Sequence, residues 1–448
     1  MTNRNQTQIK ELYEAKLIGS KSFLAEDPND WFVNLRKDSV DKFISVGFPD
    51  RKNEKWKYLD LDPFYSETFK SPSLDSLQIS KLPTEKEINQ SNKRNNIYDP
   101  VDSYQLNFFN GILESNDKLK KISEKIEIIT FAEAIKRKDK DVVDFLNKKK
   151  LNDGFAALNF ALVSHGYFIR ICNSKLERPI VINHYNFHQN QMPEFGIINF
   201  VSAEDSEISI IENFFGEYSP KNYFNNISTF FKIGNNSNIR YYKNQQEANS
   251  SYHISNINLE FTGRESLFEH FNLSLGANLC RNEYSVNMKN LNNSCKLFGI
   301  YLLKNNQQCD NTLETVHFRE RCKTEEIFYG VLSGESKGIY KSNVDVRPGA
   351  IKADTYQLNK NLLLSDYAQA NSKPELNINS DDVKCSHGSA SGELDQEALY
   401  YLNTRGIGNA EARMILLKSF LGEVIKNISI TEVRNTCDFF VERYLKHL

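Results

Sequence analysis

From about residue 158 to 385 the chain is written in short runs in which apolar and polar positions alternate, the period of strands. Phe168-Ile169-Arg170-Ile171 and Ile180-Val181-Ile182 are followed by similar runs at 197–201, 208–211, 239–242, 254–261, 284–288, 325–331 and 343–346. Almost no convincing helix interrupts them. Turn residues separate them instead: Gly234-Asn235-Asn236, Gly263, Asn292-Asn293, Gly334 and Pro348-Gly349. Sandwich, barrel and β-helix share this texture. So long a succession of strands with asparagine corners favours a solenoid over one closed sandwich, although the spacing is irregular.

The flanks carry a different period. Ile9, Leu12, Tyr13 and Leu17 recur at helical spacing, as do Trp31, Phe32 and Leu35, and then Val40, Phe43 and Ile44, closed by Gly47 and Pro49. Trp56, set among Arg51, Lys52, Lys55 and Lys57, reads as an aromatic plug with basic neighbours. A polar stretch from Lys70 to Asp102 reads as a linker. Beyond it, Asn110-Gly111 between two apolar runs signals a hairpin, and Phe131 to Leu146 has helical spacing. After Asp395, Ala398, Leu399 and Leu402 form one helical stripe, and Met414, Leu417, Leu421, Val424 and Ile428 form another, with Asn409 as its cap. Ser429-Ile430-Thr431-Glu432 has the form of a capping box opening a last helix. The expected division is an N-terminal helical region with linker (1–102), a small α/β unit (103–157), a β-helix core (158–394) and a helical tail (395–448).

Composition narrows the class without naming a function. The 448 residues are too many for one compact core, and 40% apolar with 12% aromatic residues suffices for sizeable ones. A formal charge of −2 gives no electrostatic case for nucleic acid or an anionic membrane. Seven cysteines without a CxxC argue against a disulfide framework and against a self-contained zinc site. No stretch approaches a membrane span, and the early acids Glu11, Glu14, Glu26 and Asp27 do not suit a transit peptide. A soluble protein of a reducing compartment, the cytoplasm, is expected. P-loop, dinucleotide-binding, zincin and nucleophile-elbow motifs do not occur. His184 and His188, four apart among polar residues, are expected in a solvated loop.

One stretch carries chemistry: Asp381-Asp382-Val383-Lys384-Cys385-Ser386-His387-Gly388. In an extended segment, side chains two apart share a face, so Cys385 and His387 point one way with Val383, and Lys384 and Ser386 point the other. A thiolate beside an imidazole is a soft ligand pair suited to iron–sulfur or zinc chemistry. The competing reading makes Cys385 a small buried hydrophobe and His387 a histidine satisfied by a neighbouring carbonyl. A conventional cluster takes four ligands, and this pair supplies at most two. If the pair binds a cluster, the remaining ligands are expected from another subunit or an exogenous thiol, and the stretch is then half a site.

The same octapeptide, followed by Gly392-Glu393-Leu394-Asp395 and Arg405-Gly406-Ile407, resembles the SufD branch of the SufB/SufD family of the SUF iron–sulfur assembly machinery. Lys352-Ala353-Asp354-Thr355, Gln357, Asn359, Asn361-Leu362-Leu363-Leu364 and Lys373-Pro374-Glu375-Leu376 continue the likeness, and Leu158-Asn159-Phe160-Ala161 resembles the family's opening strands. One departure is Tyr340-Lys341-Ser342, where the family often has a Gly in third place; an altered corner is expected there. The resemblance implies a mainly β fold: a right-handed parallel β-helix flanked by α-helical N- and C-terminal regions. It implies a non-catalytic scaffold that pairs with a SufB-like subunit through the β-helix and with the ABC-type ATPase SufC through the tail. Met414, Leu417, Leu421 and Val424 mark the candidate docking helix; they are expected to bury one face against the β-helix edge or a neighbouring helix and to leave the outer surface for SufC. Cys385 and His387 are the candidate metal-binding residues for a transient iron–sulfur cluster shared with the partner, and a homodimer is conceivable when the chain is alone. A β-helix carbohydrate enzyme using Asp345 and Asp354, or a plain solenoid adaptor, are the competing readings.

Overall fold

The protein is described by a computed structural model over residues 31–67, 103–109, 112–114, 126–148, 151, 153–186, 194–216 and 222–446. Two long sheets face each other, and the chain passes from one to the other at every turn. The first sheet stacks Ile180–Asn186, Glu207–Gly216, Asn238–Glu247, Leu267–Gly276, Ser294–Leu303, Lys323–Leu332, Asp354–Leu363 and Lys384–Gly392. The second stacks Tyr167–Cys172, Glu194–Glu204, Phe224–Ile233, Tyr252–Phe261, Leu279–Met288, Gln308–His317, Lys337–Val346 and Gln369–Ile378. Within each stack the pairs are parallel, so the architecture is a parallel β-helix. Most of its strands are ten residues long, and the turns between them vary. Leu267 pairs with Ser294 but Lys337 with Gln369, which is why the repeat is irregular in sequence. Asn236, Asn292, Asn305, Asp382 and Gly334 hold positive φ at the corners, a conformation that Asn, Asp and Gly tolerate best.

Each strand sends alternate side chains into the coil. In Ser294–Leu303, Cys295, Leu297, Tyr301 and Leu303 enter the interior while Phe298, Ile300 and Leu302 face outward, yet both sets are buried. That strand reads as a continuous apolar run because both of its faces are covered. What covers it is the tail. Of the helices used below, α1 spans Trp31–Val46, α2 Phe131–Lys136, α3 Lys140–Lys148 and α4 Gly154–Leu162. In the tail, α5 spans Gln396–Thr404, α6 Asn409–Ile425 and α7 Thr431–Leu445. Leu417, Leu421, Val424, Val433, Cys437 and Phe440 join the outward residues of the first sheet in one apolar cluster. The tail therefore lies on a sheet face and does not cap the open end of the solenoid.

Several expectations need correction. The segment 158–161 is not an opening strand: it belongs to α4, capped by Asp153, whose side chain accepts from the amide of Ala156 at 2.9 Å. Its apolar run is buried on all sides, which hides its period. Strand begins only at Val163. Asn409 is the first helical residue of α6, with Gly408 at the cap position and no side-chain cap bond. Ser429 does not cap α7 either; its hydroxyl donates to Glu269 at 2.7 Å and lies 2.8 Å from that of Tyr242, a tie between tail and sheet. Ser342 sits inside a strand and not at a corner. The stripes of Trp31 to Ile44 are one helix, and the hairpin pairs Phe109 with Ile112. The stripe at residues 9–17, the linker and His188 lie outside the described residues.

The Trp56 element behaves as its composition suggests. Trp56 is buried and stacked on Phe155, ring centroids 5.0 Å apart, and the guanidinium of Arg281 lies 4.1 Å from its ring centroid. Arg281 is itself buried and paired with Asp310 and Glu283. Lys55 reaches Glu314 at 2.6 Å, and Lys341 donates to the carbonyl of Glu54 at 2.8 Å. This strap fastens the N-terminal region to the outer face of the second sheet.

Candidate functional site

Cys385 and His387 lie on Lys384–Gly392, the terminal strand of the first sheet. It pairs on one side only, with Asp354–Leu363, and Gln369–Ile378 ends the second sheet in the same way. The coil is thus open here, with two strand edges that have no partner strand among the described residues. The approach to the strand is a tight corner: Asp382 holds φ 52°, its carbonyl accepts from the amide of Lys352 at 2.8 Å, and the amide of Lys384 donates to Ala353 at 2.9 Å.

The two side chains share the inward parity. Cys385 is half-buried and packs with Val383 and Leu376 against Val344, Val346, Ala350 and Ala353. His387 has the same parity but is exposed, because no further rung covers it. By register Cys385 stands over Thr355, and His387 over Gln357, both of which are buried. The hydroxyl of Thr355 and the amide oxygen Oε1 of Gln357 are buried without a hydrogen-bond partner. The floor beneath both candidate ligands is therefore polar and unsatisfied. Among the described residues no group of three or more His, Cys, Asp and Glu side chains is placed to hold a metal ion. The thiol and imidazole of this strand lie on one face at the open edge, the two residues singled out from the sequence as candidate ligands.

Two comparisons with known proteins bear on this geometry. The profile of the SUF system FeS cluster assembly SufBD core domain matches residues 187–420, and that of the SufBD protein N-terminal region matches residues 3–182. The chain belongs to the SufBD family of the SUF iron–sulfur cluster assembly system. An iron–sulfur cluster assembly SufBD family protein of Synechocystis is 24% identical over 96% of this chain and 94% of its own length. The iron–sulfur cluster assembly protein SufD of Bacillus subtilis is 25% identical over 93% of this chain and 94% of its own. SufD of Escherichia coli is 27% identical over 50% of this chain and 52% of its own length. As a SufBD family member the chain is an iron–sulfur cluster assembly protein, and the β-helix covers most of the core match.

The tail residues singled out from the sequence turn one face toward the first sheet, as their spacing led us to expect. Leu417, Leu421 and Val424 are buried against the first sheet, and Met414 packs beside them half-buried. The apolar side chains that the tail leaves exposed are Tyr400, Tyr401, Ile415 and Phe439. No helix among the described residues is long and apolar enough to cross a membrane.

A polar interior escaped sequence reasoning. His184 is not in a solvated loop: it is buried, stacked between Phe108 and Phe214, with Nε2 2.8 Å from Glu212 Oε1. Glu212 also accepts from Tyr167, Tyr241 and Asn199. Glu247 lies 2.7 Å from His253, and Lys243 donates to Asn282 Oδ1 at 2.9 Å. Burial depresses the Lys243 ammonium and the His253 imidazole, and holds His270 down at about 3. The available signal was the even spacing of Tyr241, Lys243 and Gln245, but Tyr242, Asn244 and Gln246 on the other parity are no less polar.

Proposed function

We propose that this SufBD family chain is a non-catalytic scaffold subunit that supplies half of a cluster-assembly site, Cys385 and His387, at the open end of its β-helix. The observation that supports this reading is that a thiol and an imidazole share one face of a strand whose outer edge has no partner strand among the described residues. A cluster takes four ligands, so a partner that adds strands to this edge could complete both the hydrogen-bond ladder and the ligand set. A SufB-like subunit, built on the same family plan, is the partner that fits. The cluster is cargo, assembled and passed on. SufC, the ATPase of the system, would dock on the outer surface of the tail through Tyr400, Tyr401, Ile415 and Phe439, while Met414, Leu417, Leu421 and Val424 hold the inner face against the first sheet. Such a complex would work in the cytoplasm. The carbohydrate-enzyme reading gains no support: Asp345 is paired with Arg347 on the second sheet and Asp354 opens a strand of the first.

Anaerobic reconstitution tests the proposal with the chain alone, with its SufB-like partner, and with partner and SufC together. The chain alone is expected to retain iron and sulfide poorly and the assembled complex well. His387→Ala is expected to leave the fold intact and lower cluster yield on the complex. A stable stoichiometric cluster on the isolated chain would contradict the half-site reading and direct attention to Cys280, Cys295, Cys309 and Cys322.

A further inference from the structure

Beneath His387 the inward column of the first sheet runs Gln357 and then Glu326, one residue per rung. Gln357 has no exposed surface. Its Nε2 donates to Ser342 Oγ at 2.6 Å and to the backbone carbonyl of Glu375 at 3.5 Å. Ser342 in turn donates to Glu326, whose carboxylate also accepts from Thr315 at 2.9 Å and Tyr340 at 3.4 Å. Burial pushes the Glu326 carboxyl up, and these hydrogen bonds offset part of that push. An amide gripped through its nitrogen cannot exchange its nitrogen and oxygen positions, so Gln357 Oε1 is a true acceptor, and it is buried without a donor. The neighbouring inward amide, Asn359, spends its Nδ2 on Tyr301 and the carbonyl of Phe328. One rung up in the same inward column, about 4.8 Å along the sheet, stands the imidazole of His387, a donor in register with this amide.

We propose that Gln357 is the positioning residue of the site: its side-chain carbonyl accepts the N–H of one His387 ring nitrogen and turns the lone pair of the other out of the coil end. This rests on the reading of His387 as a metal-binding residue and gives it a built support. A metal-bound histidine commonly donates its second ring N–H to a carbonyl, which sets tautomer and ring orientation. The serine at position 342 acquires a purpose here. Its hydroxyl links the Gln357 amide to the buried carboxyl of Glu326, an anchor that a glycine could not supply.

The test needs neither cluster nor partner. In the full chain labelled with nitrogen-15 histidine and held in alkaline buffer, the His387 ring resonances, identified by their loss in His387→Asn, are expected to show one tautomer. Gln357→Met, which keeps the shape and removes the acceptor, is expected to release them into a mixture; Thr355→Val, one inward position away, is expected to leave them fixed. On the assembled complex Gln357→Met is expected to weaken iron retention roughly tenfold. A tautomer mixture in the unaltered chain overturns the proposal without recourse to any variant, as does a spectrum indifferent to Gln357→Met. A fixed tautomer together with cluster yield indifferent to His387→Ala would instead keep the hydrogen bond and remove the ligand reading.

Discussion

Truncating Leu421 to alanine separates the two faces of the tail. Leu421 has no exposed surface and belongs to the apolar cluster that joins α6 and α7 to Phe298, Ile300, Tyr329 and Val331. Buried leucine-to-alanine changes cost about 2–5 kcal/mol, so about 3 kcal/mol is expected here. The tail is held by one sheet face, so the loss falls on its local docking equilibrium before it reaches the coil. At about 1.4 kcal/mol per tenfold, amides of Asn409–Ile425 are expected to exchange with deuterium about a hundredfold faster, those of Tyr252–Phe261 at their original rate. Mass-spectrometric exchange measures both in one sample. Ile415→Ala is the comparator: the side chain is 41% exposed, and its loss is expected to change stability by no more than about 0.5 kcal/mol. Equal loosening by the two variants, or none from Leu421→Ala, would refute the assignment of the buried face.

The outer face should behave in the opposite way. Tyr400→Ser combined with Phe439→Ser is expected to reduce SufC retention on affinity resin at least tenfold while leaving the thermal midpoint unchanged. Trp56→Ala removes the ring between Phe155 and Arg281, and is expected to cost about 3–5 kcal/mol in urea melts. Acid should destabilise the β-helix through His270 and His317, held by burial at about 3 and about 4. As pH falls below about 6.5 the unfolded chain takes up protons that the folded chain refuses. Each group then removes about 1.4 kcal/mol per pH unit until its folded value is reached, and above that range neither contributes. A urea midpoint constant from neutral pH to about pH 5 would sink this account.

The strands were legible because alternation survives wherever one face meets solvent, as in Lys337–Val346, and because Asn and Gly mark corners that require positive φ. The errors fell where that contrast vanishes. In α4 eight of nine residues are buried, so the helical stripe has no polar complement and resembles a buried strand. Ser429 has the spacing of a capping residue, yet a hydrogen bond to Glu269, remote in sequence, outcompetes the local cap. The docking stripe was read correctly as one face, but periodicity cannot say whether a face turns toward its own sheet or toward a partner.

The site shows the same limit from the other side. The two-residue period alone puts Cys385 and His387 together, and the structure keeps them so on one strand. What no local pattern carries is the rung below. Gln357 lies thirty residues earlier, and its partners Ser342 and Glu326 come from two further strands; only the stacking of coils brings them under His387. One coil inward, Thr355 and Gln357 occupy the positions of Cys385 and His387 and are buried. The last rung thus repeats the interior pattern of its predecessor with nothing laid over it. A solenoid that stops on such a rung leaves side chains of inward parity uncovered, over polar atoms already desolvated. Ending the repeat is therefore what leaves a thiol and an imidazole at two ordinary inward positions without a further coil over them, and on the proposed reading a strand added at this edge would meet half of a site.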